Sequence, residues 1–570
     1  MGLRERLAPV LILTVALAAC VAPPAPTSRS GSPDAAAPSA APKRLTTAIR
    51  GNPHTVFQKL NPRSNIPGID QLENMVNAPL SVVDERGNLQ PRLGEAVPSI
   101  ENGLWKLLPE GRMETTWTIR PGTRWQDGQP LTAHDLVFTV MVGRDRDLPI
   151  FGDIAFRSLE AATAVDDRTV SVTWSSPFFQ ADNLFSHALA LPMPKHILDR
   201  PYAEEKLTFV DHPYWSEEFV GTGPYKIRTW ERGSHLVLEA NDLYVLGRPK
   251  IDEVVVKFIP DPSTLAANVL AGEVDVTMEG RLSIEWATTV RDQWPDGKVD
   301  FKYSSMIQIF PQFINPTPSV VGNLQFRRAM LTAIDRQQMV DTFLFGLTSV
   351  GHTFVAPTEP EYAYVEPRIV RYDYDAHRAA QMIESLGYRK AADGLVRDAA
   401  GEKLALQIRT SQGDDRQEKA MYATADDWQR LGIDVERYLV PPQRASDAEF
   451  RATFPAFDLK GQAGTFDYAP SFHSRGIGLP ENNFLVSGNN ARYSNPDLDL
   501  LIERYYVTIP LGERMQVAGD VVHHLSDQVA WMGLFYQVVP ILISNRLQNV
   551  TQPKAARSTT LSNIHLWDVK

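Results

Sequence analysis

The sequence predicts an α/β protein of two or three domains standing behind an export leader. Three observations predict it. The chain has 570 residues, and about 525 of them follow a polar N-terminal stretch, enough for more than one apolar core. Up to about residue 300 the pattern is rich in strands, with period-two alternation and Gly/Pro turns. Beyond residue 300 helices alternate with strands.

Arg4 and Arg6 precede an apolar run over residues 7–19 that ends Leu17-Ala18-Ala19-Cys20. A basic flank, a short apolar stretch and small residues before the cut make residues 1–19 a secretory signal. The run is too short to span a bilayer as a helix. Cys20 is the single cysteine. It stands where a bacterial lipoprotein signal places its lipidated residue, and that resemblance implies cleavage before Cys20 and acylation of its thiol. The protein is then expected outside the cytoplasm, held to the membrane by Cys20. Residues 20–44 are rich in Pro, Ala and Ser and cannot bury enough surface to offset their ordering entropy, so they read as a flexible linker. No intramolecular disulfide is possible, and packing alone must hold the body together.

The formal net charge of −11 argues against a nucleic-acid partner, which wants a basic face. The sequence carries no Gly-rich phosphate loop, no paired cysteines and no tandem repeat. Residues 529–543 are the most apolar later run, but Gly533, Gln537 and Pro540 interrupt them, so they read as buried core.

Residues 116–120 alternate as a strand, Pro121-Gly122 turns the chain, and residues 123–126 begin a return strand. Asp127-Gly128 is a second turn. Thr132 and Asp135 have capping-box spacing ahead of a helix carrying Leu136, Val137 and Val140. Gly221, Gly223 and Pro224 form a tight entry loop to paired strands over 225–230 and 235–240, with Arg232-Gly233 between them. Residues 254–259 are a buried strand, and a helix over 261–270 opens at Asp261-Pro262 and stops near Gly272. The spacing of Phe326, Ala329, Met330, Ala333, Ile334 and Val340 predicts one helix over 324–345, stopped by Gly346. Helices follow over 375–386 and 418–431, closed by Gly387 and Gly432. Then come a strand over 433–440, helices over 496–508 and 511–528, and a strand over 532–543.

Three of these segments resemble the family 5 extracytoplasmic solute-binding proteins, the peptide- and nickel-type receptors of ABC importers. They are TWTIRPGTRWQDGQPLTAHDLVFT (116–139), the GTGPYKIRTW block (221–276) and LQFRRAMLTAIDRQQMVDTFLFG (324–346), with weaker echoes at 374–388 and 429–440. The resemblance implies a two-lobed periplasmic-binding-protein-like α/β fold, of type II in its large peptide-receptor variant. Lobe one would hold residues 45–305, with an extra subdomain near 76–215, and lobe two residues 306–533. Residues 534–570 would return to lobe one. The chain would cross a hinge near 307–312 and 534–539, with the ligand in the cleft between lobes. The implied partners are a peptide or peptide-like solute and an ABC permease, and the expected state is a monomer. No chemistry on the ligand is required, so neither a catalytic set nor a cofactor is expected. The alternative is a surface lipoprotein that senses or binds a non-peptide solute, including a chelated metal, without an importer.

In peptide-binding members an Asp of lobe two pairs with the ligand's free amine. Asp467, followed by Tyr468 and preceded by Phe466, falls at that place. Two departures mark the motif. Gly464-Thr465-Phe466 replaces the Trp often found just before the Asp, and Gly461 lies where a basic residue can stand. Both departures leave room for a bulkier or non-peptide ligand. Trp117, Trp125 and Trp230 read as structural, and Tyr303 and Phe313 lie near the first crossing. His523-His524 point apart on a helix and cannot chelate one metal together. No HxxxH or HExxH occurs, so no metal site is expected. Asp127 and Asp135 read as turn and cap, and Arg327 and Arg328 as surface or interlobe ion-pair formers. An exported hydrolase lacks support, since no GxSxG lies in a strand–turn–helix setting.

Overall fold

The computed structural model describes residues 41–60, 66, 68–148, 155–278, 282–444, 447–484 and 488–570. The signal, Cys20 and most of the linker lie outside them.

A ten-stranded mixed sheet runs through the molecule. Its strands in chain order are β1 (Arg44–Ile49), β2 (Tyr225–Glu231), β3 (His235–Ala240), β4 (Glu253–Phe258), β5 (Val276–Thr277), β6 (Gly297–Pro311), β7 (Ala405–Ser411), β8 (Asp434–Val440), β9 (Phe457–Ala463) and β10 (Met532–Ser544). Their spatial order is β8-β7-β9-β6-β10-β5-β1-β4-β3-β2. The centre is the antiparallel pair β6 and β10, in register from Gly297 opposite Ser544 to Ile309 opposite Met532. On one side β1 pairs parallel with both β4 and β5. On the other β7 pairs parallel with β8 and β9. Parallel strands need both faces covered, and the helices supply that cover.

The buried side chains divide accordingly. Leu45, Ile49, Val254 and Val256 join Ile541, Ile543 and Trp567 in one core. Ile307, Ile309, Ile408 and Leu459 join Phe326, Trp428, Leu534 and Val538 in another. A separate four-stranded antiparallel sheet, Trp105–Leu107, Met113–Thr118, Thr169–Trp174 and Leu159–Ala164 in spatial order, carries its own core around Trp117, Trp125 and Trp174. Trp117 and Trp125 are fully buried. Trp230 is half-buried under the Arg232 guanidinium, 3.9 Å from its ring centroid.

Asp and Asn caps explain half of the α-helix starts among the described residues. Asp261 accepts from the Thr264 N–H at 2.7 Å ahead of Pro262–Leu270, and Asp375 accepts from the Arg378 N–H at 2.8 Å ahead of Ala376–Ser385. Each such bond satisfies a donor the helix itself leaves open. At Ala133–Arg144 the Asp135 carboxylate accepts from both the N–H (2.8 Å) and the hydroxyl (3.0 Å) of Thr132. The Asp135 N–H instead donates to the Thr132 carbonyl at 3.1 Å. The Gly221–Pro224 loop is explained by close approach. A Cβ at Gly223 would lie 2.4 Å from the backbone carbon of Val76, whose carbonyl accepts from the Gly223 N–H at 3.0 Å.

Three expectations are corrected. Residues 123–126 do not return against 116–120. Met113–Thr118 pairs with Trp105–Leu107 on one edge and Thr169–Trp174 on the other, so neither edge is open. The helix expected over 324–345 is two, Leu324–Thr332 and Arg336–Phe343. Asp335 breaks it by capping the second, accepting from the Gln338 N–H at 2.9 Å. Arg327 is not a surface ion-pair former. It is buried, donating to the carbonyls of Val321, Gly322, Gln528 and Val529, while Arg328 does pair with Asp527 at 2.7 Å.

Beneath β7 and β9 lies a buried ion pair. Arg409 and Asp458 are each 1% exposed and 3.1 Å apart, with Lys460 2.9 Å from the same carboxylate. Arg409 also donates to the carbonyls of Phe450 and Arg451. Removing one partner of such a pair strands a buried charge, which costs about 3–5 kcal/mol. Asp458→Ala should therefore lower the unfolding free energy extracted from a urea titration by an amount in that range. A change no larger than that of an exposed-pair variant such as Lys419→Ala would contradict it.

Candidate functional site

A cleft of about 540 Å³ opens between residues of the first part of the chain and those beyond residue 360. One wall carries Asn74, residues of the Ser81–Val83 and Leu89–Pro91 hairpin, and residues 179–188. The opposite wall carries Glu361, Tyr364, Asp467, Tyr505 and Arg514, and the C-terminal segment adds Arg557 and Thr559.

Asp467 sits on a 3₁₀ turn, Phe466–Phe472, that follows β9. Its carboxylate is 43% exposed on the cleft wall. Such a turn aims successive side chains in different directions, and the neighbours of Asp467 go elsewhere. Phe466 is buried, its ring centroid 4.2 Å from that of Tyr505. Tyr468 packs on Phe472 and Phe354. Of the three residues singled out in the motif, Asp467 alone lines the cleft.

Asp467 is met from both sides. The Gln180 side-chain amide donates to it at 2.7 Å. The Arg557 guanidinium lies 3.8 Å away and is bound more closely to Glu359 (3.1 Å) and Glu361 (2.6 Å). Burial works against the Arg557 charge, but Asp467, Glu361 and Glu359 hold its pKa above the ordinary arginine value. Burial pushes Glu359 up, and Arg557 opposes that shift. This is a charge-compensated nest, three carboxylates around one guanidinium.

The bond from Gln180 belongs to a larger contact across the cleft. The Phe179 N–H donates to the Tyr506 carbonyl at 3.1 Å. The Phe179 ring lies 4.8 Å from Tyr505 and 5.4 Å from Tyr506, with the Arg514 guanidinium 4.5 Å over it. Beside Arg514, Asp182 is pushed by burial up to about 7, and Arg514 only partly offsets this.

The other candidates lie away from the cleft lining. Tyr303 packs on Tyr536 at 5.7 Å, and Phe313 lies under the Arg327 guanidinium at 4.5 Å. His523 contacts the Arg368 carbonyl (3.1 Å) and His524 the Tyr493 hydroxyl (2.9 Å), so the adjacent pair does point apart. Asp127 meets His196 at 2.7 Å. Among the described residues no group of three or more His, Cys, Asp or Glu could hold a metal ion, and no helix is long and apolar enough to cross a membrane. Gln180, Asp182, Glu361, Arg514 and Arg557 carry no local sequence signal, since only the tertiary fold brings them into the cleft that Asp467 lines.

A cleft between two α/β lobes joined by paired strands defines a two-lobed binding protein. The chain belongs to the bacterial extracellular solute-binding proteins, family 5, whose model matches residues 103–481. It is 25% identical over 439 residues to the oligopeptide-binding protein AppA of Bacillus subtilis (strain 168), covering 76% of this chain and 75% of that one. It is 24% identical over 525 residues to the nickel-binding periplasmic protein of Escherichia coli (strain K12), covering 90% and 92%. The solved structure of B. subtilis AppA in complex with a nonapeptide aligns with a TM-score of 0.68 at 21% identity, covering 93% of this chain and all of that one. That likeness carries the fold.

Asp182 yields a pH prediction. Its folded-state pKa lies above the ordinary aspartate value, so its stabilising share is whole below that ordinary value and is lost as pH rises through about 7. Asp182→Asn should match the parent's melting temperature near pH 4 and exceed it near pH 8. A difference that is flat from pH 4 to 8 would refute the assignment.

Proposed function

We propose that this protein is the lipid-anchored, extracytoplasmic receptor of an ABC importer, taking a peptide or peptide-like solute into the interlobe cleft and delivering it unchanged. The observation that carries this reading is Asp467, a carboxylate on the cleft wall of a family 5 chain. A peptide's ammonium would dock there by taking the place of the Gln180 amide and the more distant edge of Arg557, while Arg557 keeps its closer partners Glu359 and Glu361. A charge-assisted hydrogen bond formed away from bulk water is about twice as strong as a neutral one. The likeness to an oligopeptide-binding protein supports the peptide class.

Transport follows from closure. In this reading the hinge is β6 and β10 near 307–312 and 534–539, lobe one is 45–305 with residues 534–570, and lobe two is 306–533. The contact of residues 178–180 with Tyr505, Tyr506 and Arg514 would be made in the closed form and broken in the open one. A solute shifts that balance only by its differential affinity for the two forms. The Cys20 tether and its linker would keep a monomeric receptor near its permease and raise the effective concentration.

A second reading, a non-peptide solute such as a chelated metal, is favoured by two observations. Asp467 already has cationic company in Arg557, and a relative is a nickel-binding periplasmic protein. Mass spectrometry of material released on denaturing the purified protein separates the two readings. For the peptide reading, calorimetry with an oligopeptide library should find binding that Asp467→Asn weakens about 10–100-fold, the worth of one charge-assisted bond. Binding unaltered by that substitution, or a released cargo without amide bonds, would overturn it.

A further inference from the structure

A second, smaller cavity lies against the cleft. It measures about 100 Å³ and shares His187 and Ala188 with the cleft lining. Phe57, Phe156, Leu191 and Met193 give it apolar walls. Its polar groups have unequal amounts of work. The Thr139 hydroxyl donates to the Asp135 carbonyl at 2.8 Å and accepts from the Met193 N–H at 2.9 Å. The Lys59 ammonium donates to the Leu189 carbonyl at 2.9 Å, and Glu73 accepts from the Gln58 N–H at 3.2 Å. His187 differs from all of these. Both ring nitrogens are buried, and neither has a hydrogen-bond partner among the described residues.

Buried polar atoms are nearly always paired, and an unpaired one costs free energy that something must return. Two unpaired nitrogens on one ring, on the wall between a cavity and a cleft, point to a partner that arrives with the solute. The chemistry selects its class. Burial lowers the His187 pKa to about 4 and raises that of Glu73 to about 8. Near neutrality the ring is therefore uncharged, offering one donor and one acceptor, and Glu73 holds its proton. A carboxylate entering this apolar pocket would lose its hydration while the lining's cation, Lys59, is already engaged by the Leu189 carbonyl, and the neutral ring would offer it no charge. The volume exceeds what one water needs but is far below that of a drug-sized site.

We propose that this cavity is a side pocket of the binding cleft that takes a neutral hydrogen-bonding group on a short apolar stem, a carboxamide or an alcohol, with His187 as the specificity-determining residue. The inference rests on the cleft being where the solute binds, and its test has an arm that does not depend on peptides.

Isobutyramide and isobutyrate are used as direct probes of the mature protein, by ligand-observed NMR and by soaking crystals. The amide should bind at least tenfold more tightly than the acid anion and lie beside His187. His187→Leu should abolish the preference, and Ala190→Leu, which fills the cavity from another wall, should abolish binding of both. Calorimetry then compares hexapeptides that differ only in Gln, Glu or Leu at one position at a time. At one position Gln should be favoured about tenfold in the parent and not in His187→Leu. Equal binding of the two probes, a preference retained in folded His187→Leu, or only water in soaked crystals would each overturn the proposal. Failure of every hexapeptide to bind would refute the peptide reading, and the isobutyramide arm would still decide the pocket.

Discussion

The pairing of β6 with β10 is the constraint on which the rest of the architecture depends. These two long strands, Gly297–Pro311 and Met532–Ser544, are the centre of the sheet. β10 alone sends Ile541 and Ile543 into one core, Leu534 and Val538 into a second, Tyr536 into a third and Leu542 into a fourth. Buried apolar area is the dominant favourable term in folding, so a single strand serving four cores ties their stability together. Two register shifts, between Tyr303 and Ser305 and between Ile307 and Gln308, interrupt the pairing of these strands. Irregularities of this kind bend a strand and increase its twist.

Charge compensation is the second organising fact. The cleft wall gathers Glu359, Glu361 and Asp467 around Arg557. Ions are costly to remove from water unless paired and hydrogen-bonded, and Arg557 makes this carboxylate cluster tenable. A cationic group approaching Asp467 would meet a carboxylate already hydrogen-bonded by Gln180 and partly neutralised by Arg557.

Elements whose signals are local were legible. Asp261, Asp375 and the Gly residues after helices act within one turn, and the helices they bound stand where the spacing placed them. The β2–β3 hairpin is likewise set by its own turn at Arg232-Gly233. Two of the departures arise where a distant segment prevails over a local one, and the third, the split of 324–345 at Asp335, is itself local. Residues 123–126 are strand-like, yet Met113–Thr118 is already flanked on both edges. Arg327 looks like a surface residue of an amphipathic helix, but it is buried between the carbonyls of Val321 and Gly322 in the preceding turn and those of the distant Gln528 and Val529. At the site, Asp467 was reachable through the motif around it. Phe466 and Tyr468, its immediate neighbours, were grouped with it because adjacency in sequence reads as adjacency in space, which a 3₁₀ turn does not give.

The α/β character, the family and the place of one cleft carboxylate can be read from the chain alone, because repeating periods, caps and a long motif are properties of neighbouring residues. The tertiary structure alone decided what that carboxylate meets. Gln180, Arg514 and Arg557 reach the cleft from separate stretches of chain, and the unpaired nitrogens of His187 are defined only by what surrounds them. Charge pairing and burial depend on distance through space, and no local pattern encodes that distance.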